Sequence, residues 1–367
     1  MFKEIRSLNE INWFYIFLLL TIFWIGEINL YSAANGNLDP WAFNQLIRFI
    51  LFLPLFLFII MLQPKFIFNT SEILLFLVFI GLIVTLFFGY TGMGAKRWIR
   101  IAGFNLQISE FAKISLILFM GKYFHKLNAE KTIGFFKALL PLVISFILFL
   151  LVAIQPDLGT AVIILALGLI AIFYAGINLI YPIISLIGVA LASPFLWTLL
   201  KPYQQNRVKI FLNPDLDPLG KGYHIIQSKI AIGSGGKNGN GFLGGSQSSL
   251  DFLPEKETDF VFAIFSEQFG FTGSMIIIGL FLILFLIPIY KSFKLTQVFN
   301  KLVLFVLSFK IFFEFLINIS MTIGLLPVVG VALPFMSYGG SSLLSNLIIC
   351  ALLINFMSIT EQKRMFS

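Results

Sequence analysis

The sequence has few charged residues, only two histidines and a single cysteine. Of its 367 residues, 11% are Asp, Glu, Lys or Arg, whereas soluble globular domains average about 25%. Because 59% of the residues are hydrophobic, a soluble fold is excluded and an integral membrane protein is indicated. Cys350 lies in an apolar run, allows no intrachain disulfide and is interpreted as a packing residue. His125 and His224 lie far apart, unlike paired metal ligands, and are interpreted as structural.

The net charge of +8 does not indicate a nucleic-acid-binding protein. Most Lys and Arg residues flank apolar runs, where the preference for positive charge on the cytoplasmic side of a membrane accounts for them. We therefore expect contacts with membrane lipids and none with nucleic acid.

Ten apolar runs are long enough to cross a hydrocarbon core about 30 Å thick as helices. They predict an all-α polytopic membrane protein, one domain over residues 1–367, with a large extracytoplasmic loop at about 201–258 between helices 7 and 8. The predicted spans are 12–31, 43–62, 72–90, 108–124, 135–154, 159–176, 179–200, 259–290, 301–322 and 337–359.

The distribution of positive charge predicts that both termini are cytoplasmic. The connections on that side contain lysines, and Lys363 and Arg364 follow the last span, whereas the first outer loop, YSAANGNLDPW, has no Lys or Arg. The short outer stretch AKRWIR (95–100) is an exception to this rule. Its positive charge indicates either an anionic ligand or contact with phospholipid headgroups.

Ionisable residues inside apolar spans are costly and are functional hypotheses by default. Lys310 and Glu314 are four residues apart, a spacing that favours a structural ion pair. Glu110 and Lys113 are three residues apart near the outer surface, so they could form either a pair or a ligand site.

Polar or broken segments cluster on the predicted outer side. They are QPDLGT (155–160), the stretch 203–270 and GLLPVVGVALPFMSYGGSS (324–342). Irregular backbone at membrane depth is tolerated only where it is buried in protein or lines a wet cavity, so we expect an outward-facing cavity. The glycine-rich piece GSGGKNGNGFLGGS lacks the spacing of a phosphate-binding loop and is interpreted as adaptable surface.

An ordered set of motifs resembles the SEDS family (shape, elongation, division and sporulation), and its RodA branch in particular. The motifs are AKRWI, QISEFAK, QPDLGTA, YQQNRVKIFLNPDLDPLGKGYH, FLPEKETDFVFA and GLLPVVGVALPFMSYGGSS. The resemblance implies a peptidoglycan glycosyltransferase that polymerises lipid II at the outer face of the bacterial cytoplasmic membrane during cell elongation. It also implies a class B penicillin-binding protein as partner. An FtsW-like septal polymerase is the alternative within the family, and a lipid II flippase is the alternative outside it.

The implied reaction needs a general base for the attacking hydroxyl and positive charge for the diphosphate leaving group. The family's TDF motif indicates Asp259 as the base, at the point where the long loop enters the eighth span. From the residues alone, Asp259 could equally cap that helix, a role that Thr258 could take instead.

Further residues are predicted to bind substrate on the same basis. Arg207, Lys113 and the weaker candidate Arg97 could contact diphosphate or sugar, and Glu110 accompanies Lys113. Arg207 could instead be an anchor at the membrane interface. Asp157 could contact substrate or cap the sixth helix.

The carboxylates around Asp259 allow a second kind of site. Glu255 could tune the pKa of Asp259, bind a divalent cation, Mg²⁺ or Mn²⁺, together with Glu257 and Asp259, or be a solvated surface carboxylate. Glu257 stands where the family often has His, so this chain has an extra carboxylate there. No organic cofactor is expected.

Overall fold

The computed structural model describes residues 10–92, 95–101, 103–127, 133–178, 180–199, 202–218, 220–250 and 252–359. Both termini, with Lys363 and Arg364, lie outside these ranges. The described helices, in chain order, are α1 (Trp13–Ala33), α2 (Ala42–Met61), α3 (Pro64–Phe88), α4 (Ile108–Lys126), α5 (Phe135–Ile154), α6 (Leu158–Tyr174), α7 (Ile180–Leu199), α8 (Pro202–Leu212), α9 (Lys221–Ser234), α10 (Ser246–Ser249), α11 (Val261–Ser292), α12 (Val298–Thr322) and α13 (Gly340–Met357).

The long helices coincide with the ten predicted spans. They are α1 to α7 and α11 to α13, and seven helices in the described part of the chain are apolar and long enough to cross a membrane. The third helix begins at Pro64 rather than at residue 72, because Pro64 occupies the first helical turn, where its fixed φ is favourable. The protein is a multi-pass membrane protein.

The centre of the bundle is formed by the last two long helices. In the most apolar stretches of α12 and α13, 67% and 72% of the residues are buried, compared with 22% in α3. Apolar side chains of α3 are exposed along the helix, as expected for a lipid-facing surface. Polar groups carried by α12 and α13 are therefore held inside protein.

A small antiparallel sheet, which the all-α prediction did not include, precedes α4. It consists of β1 (Tyr90–Gly92), β2 (Ala95–Ile101) and β3 (Phe104–Gln107), in the order β1-β2-β3. Strand β2 is the basic AKRWIR stretch, and Trp98 is opposite Gln107 in the register of β2 and β3. Strand pairing gives Arg97 a defined position.

The long loop contains two helices of more than ten residues, α8 and α9. Helix α9 packs against α11 and α12, and the hydroxyl of Ser228 donates to the carbonyl of Thr322 at 2.8 Å. We call the side of the bundle on which this loop lies the loop side.

Helix α11 is interrupted at Gly270, where φ is 64° and ψ is −164°. The glycine-rich segment 235–241 fills the break: the amides of Asn240 and Gly241 donate to the carbonyls of Glu267 and Gln268 at 3.0 and 3.1 Å. In return, Phe271 N donates to the carbonyl of Gly236 at 2.9 Å.

Two glycines of segment 235–241, Gly235 and Gly239, are required by this close backbone contact. A Cβ at Gly239 would lie 2.0 Å from the carbonyl oxygen of Gln268, and one at Gly235 would lie 2.1 Å from that of Ser266. At Gly235 and Gly239 the segment is therefore fitted tightly against α11, and the adaptability of the rest of the glycine-rich piece stays a prediction.

Candidate active site

Asp259 lies two residues before α11, on the loop side. The N-cap residue of α11 is Phe260, and no side chain caps the helix. The hydroxyl of Thr258 donates instead to Oε2 of Glu255 at 3.0 Å. The capping alternative for Asp259 and Thr258 is thus wrong, and the Asp259 side chain is available for another role.

Three consecutive backbone carbonyls hold the segment that carries Asp259. Each accepts a hydrogen bond from a residue later in the chain. The pairs are Tyr338 N to Glu257 O at 2.8 Å, Ser337 Oγ to Thr258 O at 2.6 Å, and Asn318 Nδ2 to Asp259 O at 3.0 Å. Because these bonds use backbone oxygens, they fix the position of Asp259 without engaging its carboxylate.

The Asp259 carboxylate is partly buried and accepts no hydrogen bond from the residues that the structure describes. Burial raises its pKa to about 6, and the negative charge of Glu255 adds to the rise. The positive charges of Arg97 and Arg207 oppose it, and Glu257 contributes a smaller increase. A carboxylate with a pKa near 6 is ionised at neutral pH and still basic enough to accept a proton.

Arg97 is held near Asp259 through Asp157. Its Nη1 lies 3.8 Å from Oδ1 of Asp157, and Gln107 Nε2 donates to Oδ2 of the same carboxylate at 2.7 Å. Asp157 also caps α6 by accepting from the amide of Thr160 at 3.3 Å. Of the two roles considered for Asp157, the cap is therefore observed, and the carboxylate positions Arg97 as well.

Arg207 enters the site from α8, so the two arginines that act on Asp259 come from separate elements of the loop side. Glu255 adopts a positive φ of 54° at the start of the Asp259 segment. Burial raises the pKa of Glu257, and the charge of Glu255 raises it further.

The carboxylates near Asp259 are the predicted ligands of a divalent cation. Among the described residues, no group of three or more His, Cys, Asp or Glu side chains is arranged to hold a metal ion. Binding of a divalent cation by Glu255, Glu257 and Asp259 stays a prediction, and no step of the reaction is derived through it.

Glu110 and Lys113 join a buried charge network instead of the Asp259 group. Lys113 Nζ donates to Glu110 at 2.7 Å and contacts Glu314, while Lys310 Nζ donates to Glu314 at 2.8 Å and to Asn346 Oδ1 at 2.7 Å. All four charged side chains are buried, with Lys113 1% and Lys310 0% exposed. Two positive and two negative charges thus balance across α4 and α12, and Asn346 of α13 is a neutral partner.

This network contains the predicted ion pair between Lys310 and Glu314. Lys113 also forms an ion pair with Glu110, which is the first of the two alternatives considered for these residues. Within the described residues, no contact joins Lys113 to Asp259. A direct role of Lys113 and Glu110 in binding substrate stays a prediction.

Comparison with known proteins identifies the family. A family model described as FTSW_RODA_SPOVE, cell cycle protein, matches residues 11–362. The chain belongs to this family. The resemblance to the SEDS proteins is therefore confirmed.

Two curated relatives carry related names. The peptidoglycan glycosyltransferase MrdB of Escherichia coli K12 is 39% identical over 284 residues, which cover 76% of this chain and 75% of MrdB. The probable peptidoglycan glycosyltransferase FtsW of Trichlorobacter lovleyi is 40% identical over 287 residues, 77% of this chain and 74% of that protein.

A solved structure is also similar to this SEDS protein. It is a chain from a peptidoglycan synthase complex described as coordinating polymerization and crosslinking. It has a TM-score of 0.82 and 30% sequence identity, and the match covers 95% of this chain and 97% of that chain.

Sequence reasoning about this SEDS protein missed the residues that hold the Asp259 backbone. Ser337 lies in the LPFMSYGG motif, but its contact with Thr258 spans 79 positions of the chain. The sequence does contain a signal for Asn318, since it follows Glu314 by four residues on a largely apolar helix and therefore lies on the same helical face.

Proposed function

We propose that this protein polymerises lipid II into glycan strands and releases undecaprenyl diphosphate. The observation that carries the proposal is the Asp259 carboxylate, which accepts no hydrogen bond from the described residues, has a pKa near 6 and is subject to the positive charges of Arg97 and Arg207. The similarity to named peptidoglycan glycosyltransferases adds independent support.

In the proposed reaction, Asp259 accepts the proton of the acceptor's 4-hydroxyl as the oxygen attacks the anomeric carbon of the donor. The new glycosidic bond forms as the bond from that carbon to the diphosphate breaks, with inversion. The electron pair leaves with the diphosphate, whose charge Arg97 and Arg207 stabilise. Because the leaving group is already anionic, it needs positive charge more than it needs an acid.

The proposed site lies on the outer face of the bacterial cytoplasmic membrane, with both termini in the cytoplasm. Asp259, Arg97 and Arg207 are all carried by loop-side segments. We also propose a class B penicillin-binding protein as partner, in keeping with the similar chain from a synthase complex in which polymerization and crosslinking are coordinated.

A flippase is less well supported. Such a transporter should line a polar path through both leaflets. In the described part of the bundle, the interior charges of α4 and α12 are instead paired with one another and buried.

The cellular role proposed is elongation, on the basis of the RodA-like stretch FLNPDLDPLGKGYH. The nearly equal identities to MrdB and FtsW do not distinguish this role from septal synthesis. Complementation of strains depleted of either activity tests it: we expect restored rod shape in the elongation strain, and rescue of the division strain alone would contradict this role.

The activity is tested with purified protein, its penicillin-binding protein partner and labelled lipid II. We expect glycan strands from the wild type and a loss of roughly 100-fold or more in rate for Asp259→Asn. Asp39→Asn, at an exposed carboxylate in the loop after α1, is the matched control and should retain activity. Normal polymerisation by folded Asp259→Asn protein would rule out the proposed base.

A further inference from the structure

Asn318 connects the two segments that flank the Asp259 carboxylate. Its side-chain Nδ2 donates to the carbonyl of Asp259 at 3.0 Å and to that of Val331 at 2.8 Å. Both acceptors are carbonyl oxygens, so the orientation of the amide is determined, and both of its hydrogens are used.

The second of these carbonyls belongs to the segment that faces the carboxylate. Gly330, immediately before Val331, has φ of +77°, and a Cβ there would lie 3.6 Å from Oδ2 of Asp259. The side-chain amide of Asn318 therefore fixes the Asp259 backbone relative to the Gly330 backbone. It thereby also fixes the space in front of Oδ2 of Asp259. An acceptor hydroxyl must approach this carboxylate to within about 3 Å.

Asn318 is itself held on a rigid part of the bundle. It is fully buried on α12, one turn beyond Glu314 and two turns beyond Lys310, both of which are fixed by the buried charge network. The other two donors to this segment, Ser337 and Tyr338, lie in the connection between α12 and α13.

We propose that Asn318 is a positioning residue for the Asp259 base. It acts through the Asp259 and Val331 carbonyls, and it sets the direction of the carboxylate and the gap between Oδ2 and Gly330. This inference rests on the proposed function of Asp259. A displacement of a reacting group by about 1 Å can lower a rate by as much as 100-fold, so the geometry of this clamp is expected to appear in kcat.

The test replaces Asn318 by Leu, which has a similar shape and no donor. Asn355→Leu is the matched control, because Asn355 is also fully buried and its Nδ2 donates to backbone carbonyls, those of Ile59, Ile60 and Leu62. Folded protein is quantified by size-exclusion chromatography and thermal unfolding, and kcat and KM for lipid II are measured per folded molecule with the partner present.

We expect both variants to lose stability, and only Asn318→Leu to lose kcat, by about tenfold or more. Its KM should change by less than about twofold, because substrate contacts remain. Equal kcat values for the two folded variants would overturn the proposal.

If Asn318→Leu does not fold, Asn318→Gln retains the amide but displaces it by one methylene. We then expect kcat to fall by about threefold or more at unchanged KM, and a wild-type kcat would overturn the proposal. Asp259→Asn in the same assay distinguishes a failure of the proposed base from a failure of the positioning role of Asn318. If it is active, the proposed base is wrong; if it is inactive while Asn318→Leu behaves like Asn355→Leu, only the positioning role is wrong.

Discussion

The ammonium group of Lys113 on α4 contacts the carboxylate of Glu314 on α12, so two transmembrane helices are joined by a buried ion pair. Replacing Lys113 by Met would leave buried carboxylates with too little positive charge. Removing one partner of such a pair typically costs about 3–5 kcal/mol, so we expect a large fall in the thermal unfolding midpoint of the Lys113→Met protein in detergent.

The double variant Lys113→Met/Glu314→Gln distinguishes a structural role from substrate binding. It restores the charge balance around Glu110 and Lys310, so we expect it to recover part of the lost stability. If Lys113 also binds substrate, activity should stay low in the recovered protein. A Lys113→Met protein as stable as the wild type would contradict the structural role.

The pH dependence of polymerisation should report the Asp259 carboxylate and its neighbour Glu255. Asp259 must be ionised to act as a base, so the wild-type kcat/KM should fall as the pH drops through about 6. In Glu255→Gln, a negative charge that raises the pKa of Asp259 is removed, and the acid limb should move to lower pH. An unmoved limb, together with a higher Mg²⁺ or Mn²⁺ concentration for half-maximal activity, would indicate that Glu255 binds a cation instead.

The helical architecture was predictable because each span must satisfy its own backbone hydrogen bonds within the hydrocarbon. Local spacing likewise predicted the pairing of Lys310 with Glu314. The same spacing contains no information on which helix lies opposite, so the connection from Lys113 to Glu314, 201 positions away, could not be deduced.

The candidate site was predictable only where a motif or a charge marked it. Motifs and charge indicated Asp259, Arg97 and Arg207, and the positive charges of the two arginines lower the pKa of Asp259. The small sheet was missed because strands of three to seven residues leave a weak signal in sequence. The tight fit of Gly239 was missed because a glycine-rich stretch has the same composition whether it is loose or packed against a helix.

Asp259→Asn should raise stability at neutral pH although it abolishes the proposed activity. A pKa raised from 3.8 to about 6 means that ionised Asp259 is less favourable in the folded protein than in the unfolded chain. This pKa difference corresponds to a loss of folding stability of roughly 3 kcal/mol. The value is an upper limit, because Asp259 is partly exposed and solvent screens its charge. The gain in unfolding midpoint over the wild type should be full above pH 6 and disappear as the pH falls toward 3.8. An unfolding midpoint at pH 7.5 that is equal to or lower than that of the wild type would contradict the raised pKa assigned to Asp259.

The contact between Gly239 and α11 allows a test with a matched control in the same segment. Gly239 and Gly241 have φ of +82° and +89°, so alanine at either position meets a similar backbone strain. At Gly239 the new Cβ would also lie 2.0 Å from the carbonyl oxygen of Gln268, whereas no atom lies within 4 Å at Gly241.

We expect Gly239→Ala to be less stable than Gly241→Ala by about 1–3 kcal/mol, the usual cost of overpacking. Thermal unfolding of the two variants measures the difference. Because segment 235–241 fills the break at Gly270, displacing it should loosen the part of α11 that follows Asp259. Polymerisation should therefore fall further in Gly239→Ala than in Gly241→Ala per folded molecule. Equal stability and activity of the two variants would mean that the segment does not hold α11 in place.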